Sequence, residues 1–401
     1  MFQTQDRGDM NDRHIAGMSE VMRLTRSGRL QEATSAIQSL LCAHPLGPVA
    51  NAPVERTENK PIEDVFRVIR DEAFHASYAS HVLPTSHRAR PVPGRARNPR
   101  GQFITGSYTN EAGRRSYKLY VPSGYRGQAL PLVVMLHGCT QDPDDFAAGT
   151  RMNCLAEEQP FVVLYPAQAQ EANPSKCWNW FKEGDQRRDK GEPSIVAGIT
   201  HQIMGSHNID PRRVYVAGLS AGGAMAVTMG RTYPDLYAAV GVHSGLAYAV
   251  AHDLPSALAM MRQDCVAIGR VGNGGVGRLT IGERVIPTIV FHGDRDRTVH
   301  PLNGEQVIAQ SLTVPRVGNA DAGTTWHVTV ERGQAANGHA YTRTIYHGAG
   351  GQPSLEHWLV HGAGHAWSGG SSDGSFTDPK GPDATKEMIR FFWGHSQRAT
   401  H

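Results

Sequence analysis

Ser220 stands within Gly218-Leu219-Ser220-Ala221-Gly222, a G-x-S-x-G with an apolar run, Val214–Ala217, before it and the helix-forming Ala221-Gly222-Gly223-Ala224-Met225-Ala226-Val227 after it. With a strand before it and a helix after it, such a serine sits on a sharp turn with its hydroxyl exposed, suited to attack an acyl carbon. The flanking glycines fit a turn that leaves no room for side chains. The bland alternative is a plain glycine-rich turn, since the five-residue pattern alone is common.

A serine hydroxyl needs a base, and the base needs an acid that orients it. After a strand expected over Thr288–His292 comes Gly293-Asp294-Arg295-Asp296-Arg297-Thr298-Val299, where Asp296 has the spacing of the acid and Asp294 is its competitor. Further on, Leu359-Val360-His361-Gly362-Ala363-Gly364-His365 ends a strand in a glycine-rich loop. His365, on the loop, is the candidate base, and His361, at the strand edge, is the alternative. The two histidines are four apart, but Gly362 and Gly364 between them speak against a helical zinc pair, so no metal is expected.

The oxyanion formed in acyl transfer needs N–H donors. One is the Ala221 amide, just after the nucleophile. The second is expected from His137-Gly138-Cys139-Thr140-Gln141, with the Cys139 amide as candidate. The Cys139 thiol as a nucleophile is the weaker reading, because the amide faces the reacting carbon. Cys177 precedes Trp178-Asn179-Trp180-Phe181 in another loop, and Cys139–Cys177 is a candidate disulfide, with two separate thiols as the alternative. Trp178, Trp180 and Trp367 flank these loops and are candidate substrate contacts, against a packing role for some of them.

These loops need a scaffold. Strands are expected at Tyr117–Val121, Leu132–His137, Val162–Pro166, Val214–Leu219, Ala238–Val242, Thr288–His292 and His357–His361, and helices near 144–158, 193–206, 221–232, 304–312 and 383–393. Such alternation implies an α/β domain over 106–395, a mostly parallel sheet with helices on both faces. Thr324–His347 reads as a β-hairpin insertion around Asn337-Gly338. Residues 1–45 read as a helical hairpin appended at the N-terminus, from apolar positions at three- and four-residue spacing. Residues 46–105 read as a Pro/Arg-rich linker in which Arg88, Arg90, Arg95, Arg97 and Arg100 have no aromatic among them to stack on bases.

The chain has 401 residues, with 44 Gly, 24 Pro and 20 His, and a net charge of +3 that gives no reason to expect a nucleic-acid partner. It has neither a run long enough to span a bilayer nor an N-terminal apolar leader, so the expectation is cytoplasmic, with extracellular as the alternative. The five cysteines form no C-x-x-C pair. Gly272-Asn273-Gly274-Gly275-Val276-Gly277 spells G-x-G-x-x-G, but it follows no strand and opens no apolar helix, so neither a dinucleotide nor any other cofactor is expected.

Five motifs in one order carry a resemblance to the esterase family that includes polyhydroxybutyrate depolymerases. They are Leu136–Gln141, Cys177–Phe181, Gly218–Met225, His292-Gly-x-x-Asp296-x-x-Val299 and Gly362-x-Gly-His-Ala-Trp-Ser-Gly-Gly370, spread over roughly 105–394. The resemblance implies an α/β-hydrolase fold and hydrolysis of carboxylic esters, with Ser220, Asp296 and His365 at the triad positions and Cys139 in the oxyanion loop. The expected partner is an ester substrate, a hydroxyalkanoate oligomer or polymer. Related feruloyl and acetylxylan esterases make a plant-wall ester the alternative, and a peptidase or thioesterase would use the same triad. A non-catalytic interaction protein on the same fold is the reading of another class.

Overall fold

A computed structural model describes residues 101–263, 286–312, 326–348 and 353–397. The N-terminal hairpin, most of the Pro/Arg-rich stretch and the G-x-G-x-x-G at 272–277 lie outside these residues. The described chain builds on a ten-stranded sheet. Its strands are β1 (Gln102–Asn110), β2 (Gly113–Val121), β3 (Leu130–Leu136), β4 (Val162–Pro166), β5 (Ile209–Leu219), β6 (Ala239–His243), β7 (Thr288–Gly293), β8 (His327–Gln334), β9 (Ala340–His347) and β10 (Pro353–Val360). They lie in the order β1-β2-β4-β3-β5-β6-β7-β10-β9-β8. From β4 to β10 the neighbours are parallel, and the flanking pairs are antiparallel.

Apolar runs fill most of the parallel strands because both of their faces are covered, although β5 opens with Asp210, Arg212 and Arg213 and β10 carries Glu356 and His357. On β3, Leu132, Val134 and Leu136 belong to one core and Val133 and Met135 to the other, the period of two that a strand imposes. The first core is closed by helices α3 (Gly191–Ser206), α4 (Ala221–Thr232) and α6 (Leu302–Leu312), through Ile195, Met225 and Val307. On the second, α1 (Pro143–Thr150), α2 (Met152–Glu158) and α7 (Ala384–Trp393) contribute Phe146, Leu155 and Phe392. A further helix, α5 (Leu254–Arg262), starts at a capping box formed by Asp253 and Ser256.

Three expectations need correction. The single helix near 144–158 is two helices, because Arg151 between them takes the left-handed conformation with φ of 55°. β1 begins at Gln102, within the stretch read as linker, and pairs with β2 from Gln102↔Val121 to Asn110↔Gly113. Its exposed residues alternate with half-buried ones, which blurs the apolar signal. Helix α5 was not expected, as only Ala257 and Met260 of it are buried. The hairpin at Asn337-Gly338 is present as β8 and β9, and it extends the main sheet beside β10.

Candidate active site

Ser220 follows β5 and caps α4 with φ of 58° and ψ of −121°, a conformation that L-residues avoid. The surroundings over-determine it. The Ser220 N–H donates to the His243 carbonyl at 2.9 Å and its own carbonyl accepts from the Ala224 N–H at 2.9 Å. A Cβ on Gly218 would lie 2.3 Å from the Gly222 carbonyl oxygen, and one on Gly222 would lie 2.0 Å from the Leu136 carbonyl oxygen. Both positions therefore demand glycine. The Ser220 side chain makes no capping bond to the helix it opens, so its hydroxyl remains available.

Parallel pairing brings the other loops to the same edge of the sheet. Leu219 on β5 lies opposite His243 on β6, His243 opposite Phe291 on β7, and Val360 on β10 opposite Gly293. The loop after β7 holds Asp296 and the loop after β10 holds His365. Their side chains meet, His365 Nδ1 donating to Asp296 Oδ2 at 2.7 Å. Asp296 Oδ1 accepts from the N–H groups of Thr298 and Val299 at 2.9 and 2.8 Å, and His292 Nε2 stands 3.4 Å from Oδ2. Burial pushes the Asp296 carboxyl up, but the bonds from His292 and His365 and their charges outweigh it and hold the group well below the usual carboxylate range.

The two alternatives pair with each other. Asp294 accepts from His361 Nδ1 at 3.0 Å and from the Gly362 N–H at 2.6 Å, and His361 Nε2 lies 2.9 Å from the Thr342 hydroxyl. Both ring nitrogens of His361 are thus engaged in tying β10 to its neighbours.

The loop after β3 runs past Ser220, and a Cβ on Gly138 would lie 3.6 Å from the Ser220 Cβ. His137 accepts from the Gln168 N–H through Nε2 at 3.0 Å, so its proton is on Nδ1, which donates to the Gly138 carbonyl at 2.8 Å. In a trans peptide C=O and N–H point in opposite directions. The bond from His137 therefore turns the Cys139 N–H away from His137. Neither the Cys139 nor the Ala221 N–H has a hydrogen-bond partner among the described residues, and the latter is among the unpaired donors of a helix start.

Behind this loop lies a buried polar network that sequence reasoning missed. Glu192, at the start of α3, accepts from the Asn179 backbone at 2.7 Å, from the Asn179 side chain at 2.7 Å, from Arg115 at 3.2 Å and from Gln168. Gln168 also donates to the Cys177 carbonyl at 2.8 Å. Cys139 and Cys177 are joined by a disulfide across 38 residues, and the Thr140 N–H donates to the Ser175 carbonyl at 2.7 Å. The 137–141 loop is thus fastened to the 175–179 segment by covalent and hydrogen bonds. On its other side, Gln141 accepts from the Gly138 N–H at 2.9 Å and donates to Asp145 at 2.8 Å. His243 was missed too, and its Nε2 accepts from the Ser368 N–H at 2.9 Å, three residues past His365.

The three tryptophans read as substrate contacts are core residues. Trp178 is 0% exposed, Trp180 5% and Trp367 1%. Trp178 and Trp180 belong to the core under α3 and α4. Trp367 packs edge-on against Phe146, stacks on His243 and donates to Thr385 at 3.0 Å. A ring that solvent cannot reach offers no face to a substrate. Among the described residues no cluster of three His, Cys, Asp or Glu side chains could hold a metal, and no helix is long and apolar enough to cross a membrane.

A family model described as Esterase PHB depolymerase matches residues 115–334, more than half of the chain. Poly(3-hydroxyalkanoate) depolymerase C of Paucimonas lemoignei is 33% identical over 261 residues, covering 64% of this chain and 59% of that protein. Feruloyl esterase B of Neurospora crassa is 31% identical over 149 residues, 37% of this chain and 49% of that protein. Probable acetylxylan esterase A of Neosartorya fischeri is 25% identical over 238 residues, 57% of this chain and 63% of that protein. The chain spans less than two thirds of the length of each of these relatives. Among solved structures, an acetyl xylan esterase from Aspergillus awamori superposes with a TM-score of 0.52 at 19% identity, covering 73% of this chain and 99% of that one. That likeness bears on the fold, which is the α/β-hydrolase fold.

Proposed function

Because the chain belongs to the Esterase PHB depolymerase family, we propose that it is a serine hydrolase of carboxylic esters, working through Ser220, His365 and Asp296. The observation that carries this reading is the 2.7 Å bond from His365 Nδ1 to Asp296. It leaves Nε2 as the ring nitrogen that accepts a proton, on the sheet edge where Ser220 is held in its strained turn. His365 takes the hydroxyl proton as Ser220 Oγ attacks the ester carbonyl, and Asp296 holds the tautomer and stabilises the imidazolium. The amides of Ala221 and Cys139 receive the developing oxyanion. The tetrahedral intermediate collapses, and the alcohol leaves with the proton from His365. Water deprotonated by His365 then attacks the acyl-enzyme, and the carboxylic acid departs as Ser220 regains its proton.

The test is hydrolysis of short p-nitrophenyl esters by Ser220→Ala, expected to fall by a factor of ~10³ or more. Wild-type rates in that variant would sink the proposal. A fluorophosphonate probe that labels wild type and spares Ser220→Ala supports it, while an unlabelled wild type favours the non-catalytic interaction protein. For substrate, the similarity to poly(3-hydroxyalkanoate) depolymerase C supports a hydroxyalkanoate ester. The similarity to acetylxylan and feruloyl esterases supports a plant-wall ester as the second reading. Relative kcat/KM on hydroxybutyrate oligomers, acetylated xylan and methyl ferulate separates them.

A further inference from the structure

Phe376 is left exposed, at 46%, while most large apolar side chains of the described residues are covered. It lies between two short strands, β11 (Trp367–Ser368) and β12 (Thr377–Asp378), and its backbone φ is 51°. A bulky aromatic in the left-handed region is a genuine outlier, and glycine or asparagine would take that conformation more readily. Neither burial nor backbone preference explains a phenylalanine here.

Its neighbours hold it at the candidate site. The Trp367 N–H, two residues past His365, donates to the Phe376 carbonyl at 2.7 Å. On the other side, the Ser375 N–H and hydroxyl donate to Asp145 at 2.8 and 2.6 Å, and Gln141 Nε2 reaches the Ser375 carbonyl at 3.2 Å. The same Gln141 accepts from the Gly138 N–H at the oxyanion loop. Phe376 is therefore fastened on one side to the loop that carries His365 and on the other to the loop that offers the Cys139 amide. Strain that persists because its surroundings over-determine it is a mark of ligand-contacting positions.

We infer that Phe376 is a specificity-determining residue whose ring covers the apolar chain of the ester held at Ser220. This rests on the serine-esterase reading above. The covered chain belongs to the acyl group or to the alcohol, and the two arms of the test separate these.

Phe376→Gly and Phe376→Leu are compared with wild type on p-nitrophenyl esters from acetate to octanoate and on acetates from ethyl to hexyl. In the glycine variant KM rises with chain length in one arm, by about fourfold for each methylene the ring covers. Its kcat on the shortest ester stays within about twofold of wild type, because the contact is uniform binding. Its melting temperature holds or rises, since glycine relieves the left-handed strain. The leucine variant retains most of the chain-length preference. An unchanged dependence on chain length in both arms overturns the assignment of Phe376 alone. So does a uniform fall in kcat with a lowered melting temperature, which marks a structural role. A wild-type protein that hydrolyses none of these esters overturns the esterase reading instead.

Discussion

Asp296 accepts the Nδ1–H of His365 at 2.7 Å, while two residues earlier Asp294 accepts that of His361 at 3.0 Å. Two carboxylate–imidazole pairs thus stand side by side with different duties. In the first, the histidine has a ring nitrogen to spare. In the second, both nitrogens are engaged, one of them with Thr342. Asp296→Asn should therefore favour the wrong tautomer at His365 and lower kcat by a factor of ~10⁴ with little change in KM. Asp294→Asn should leave kcat within about threefold and lower the melting temperature by a few degrees. Steady-state kinetics and thermal melts of the two variants decide this, and equal losses in kcat would remove the distinction.

The Cys139–Cys177 disulfide closes a loop of 38 residues and anchors the segment whose amide is proposed to receive the oxyanion. Reduction, or the double substitution Cys139→Ala/Cys177→Ala, should cost about 2–4 kcal/mol of stability through the freed chain. It should also lower kcat more than it raises KM, because an oxyanion donor acts in the transition state. Kinetics before and after thiol treatment test this. A melting temperature that falls while kcat holds would mean that the hydrogen bonds from His137, Gln141 and Thr140 suffice to place the loop.

The parts of this site legible in the sequence are those written in local patterns. The turn around Ser220 was legible because Gly218 and Gly222 abut backbone carbonyls and tolerate no Cβ. The parallel strands were legible because each carries an apolar run, as Val214–Ala217 does on β5. The Glu192 network was not, since it joins positions 115, 168, 179 and 192, which share no spacing, and a buried glutamate in a helical first turn looks like an ordinary surface residue. The tryptophans misled for the opposite reason. Their position beside active loops is real, but the loops wrap around them. Phe376 went unnoticed because only its backbone angle and exposure set it apart.

Two glycines near Ser220 should respond differently to a methyl group. On Gly222 a Cβ would lie 2.0 Å from the Leu136 carbonyl oxygen and 2.5 Å from that of His137, and neither backbone atom can yield without moving β3 from α4. Gly222→Ala should lose several kcal/mol, about 4 or more, and yield little folded protein. On Gly138 the nearest atom, 3.1 Å away, is the tip of the Gln141 side chain, which can shift. Gly138→Ala should fold with a melting temperature within about 3 °C of wild type. Its methyl, however, stands beside Ser220, so kcat/KM should fall by about tenfold or more. Circular dichroism and ester kinetics on the pair test the contrast.

Acid should weaken the fold in two separable windows. Burial pushes His137 down to about 4 from its ordinary 6.5. Burial, helped by the neighbouring His292 and His365, pushes His243 down to about 3, and burial beside His292 does the same to His357. In the unfolded chain these histidines take up protons below about 6.5, whereas in the folded chain they stay neutral until pH 4 or lower. Unfolding near pH 5 therefore binds protons, and stability falls as pH drops from about 6.5 toward 4, by roughly 1.4 kcal/mol per pH unit for each histidine involved. Asp296 acts in the other window. Its folded pKa is depressed, so its contribution is complete above the ordinary value of 3.8 and is lost only as pH falls below it. Chemical denaturation from pH 7 to pH 4 should show a slope of more than one proton. His137→Gln, whose side chain has no site to protonate, should make that slope shallower by about one proton. An unchanged slope in the variant would mean that His137 titrates normally in the fold, and that the Gly138 carbonyl is not held by a neutral ring.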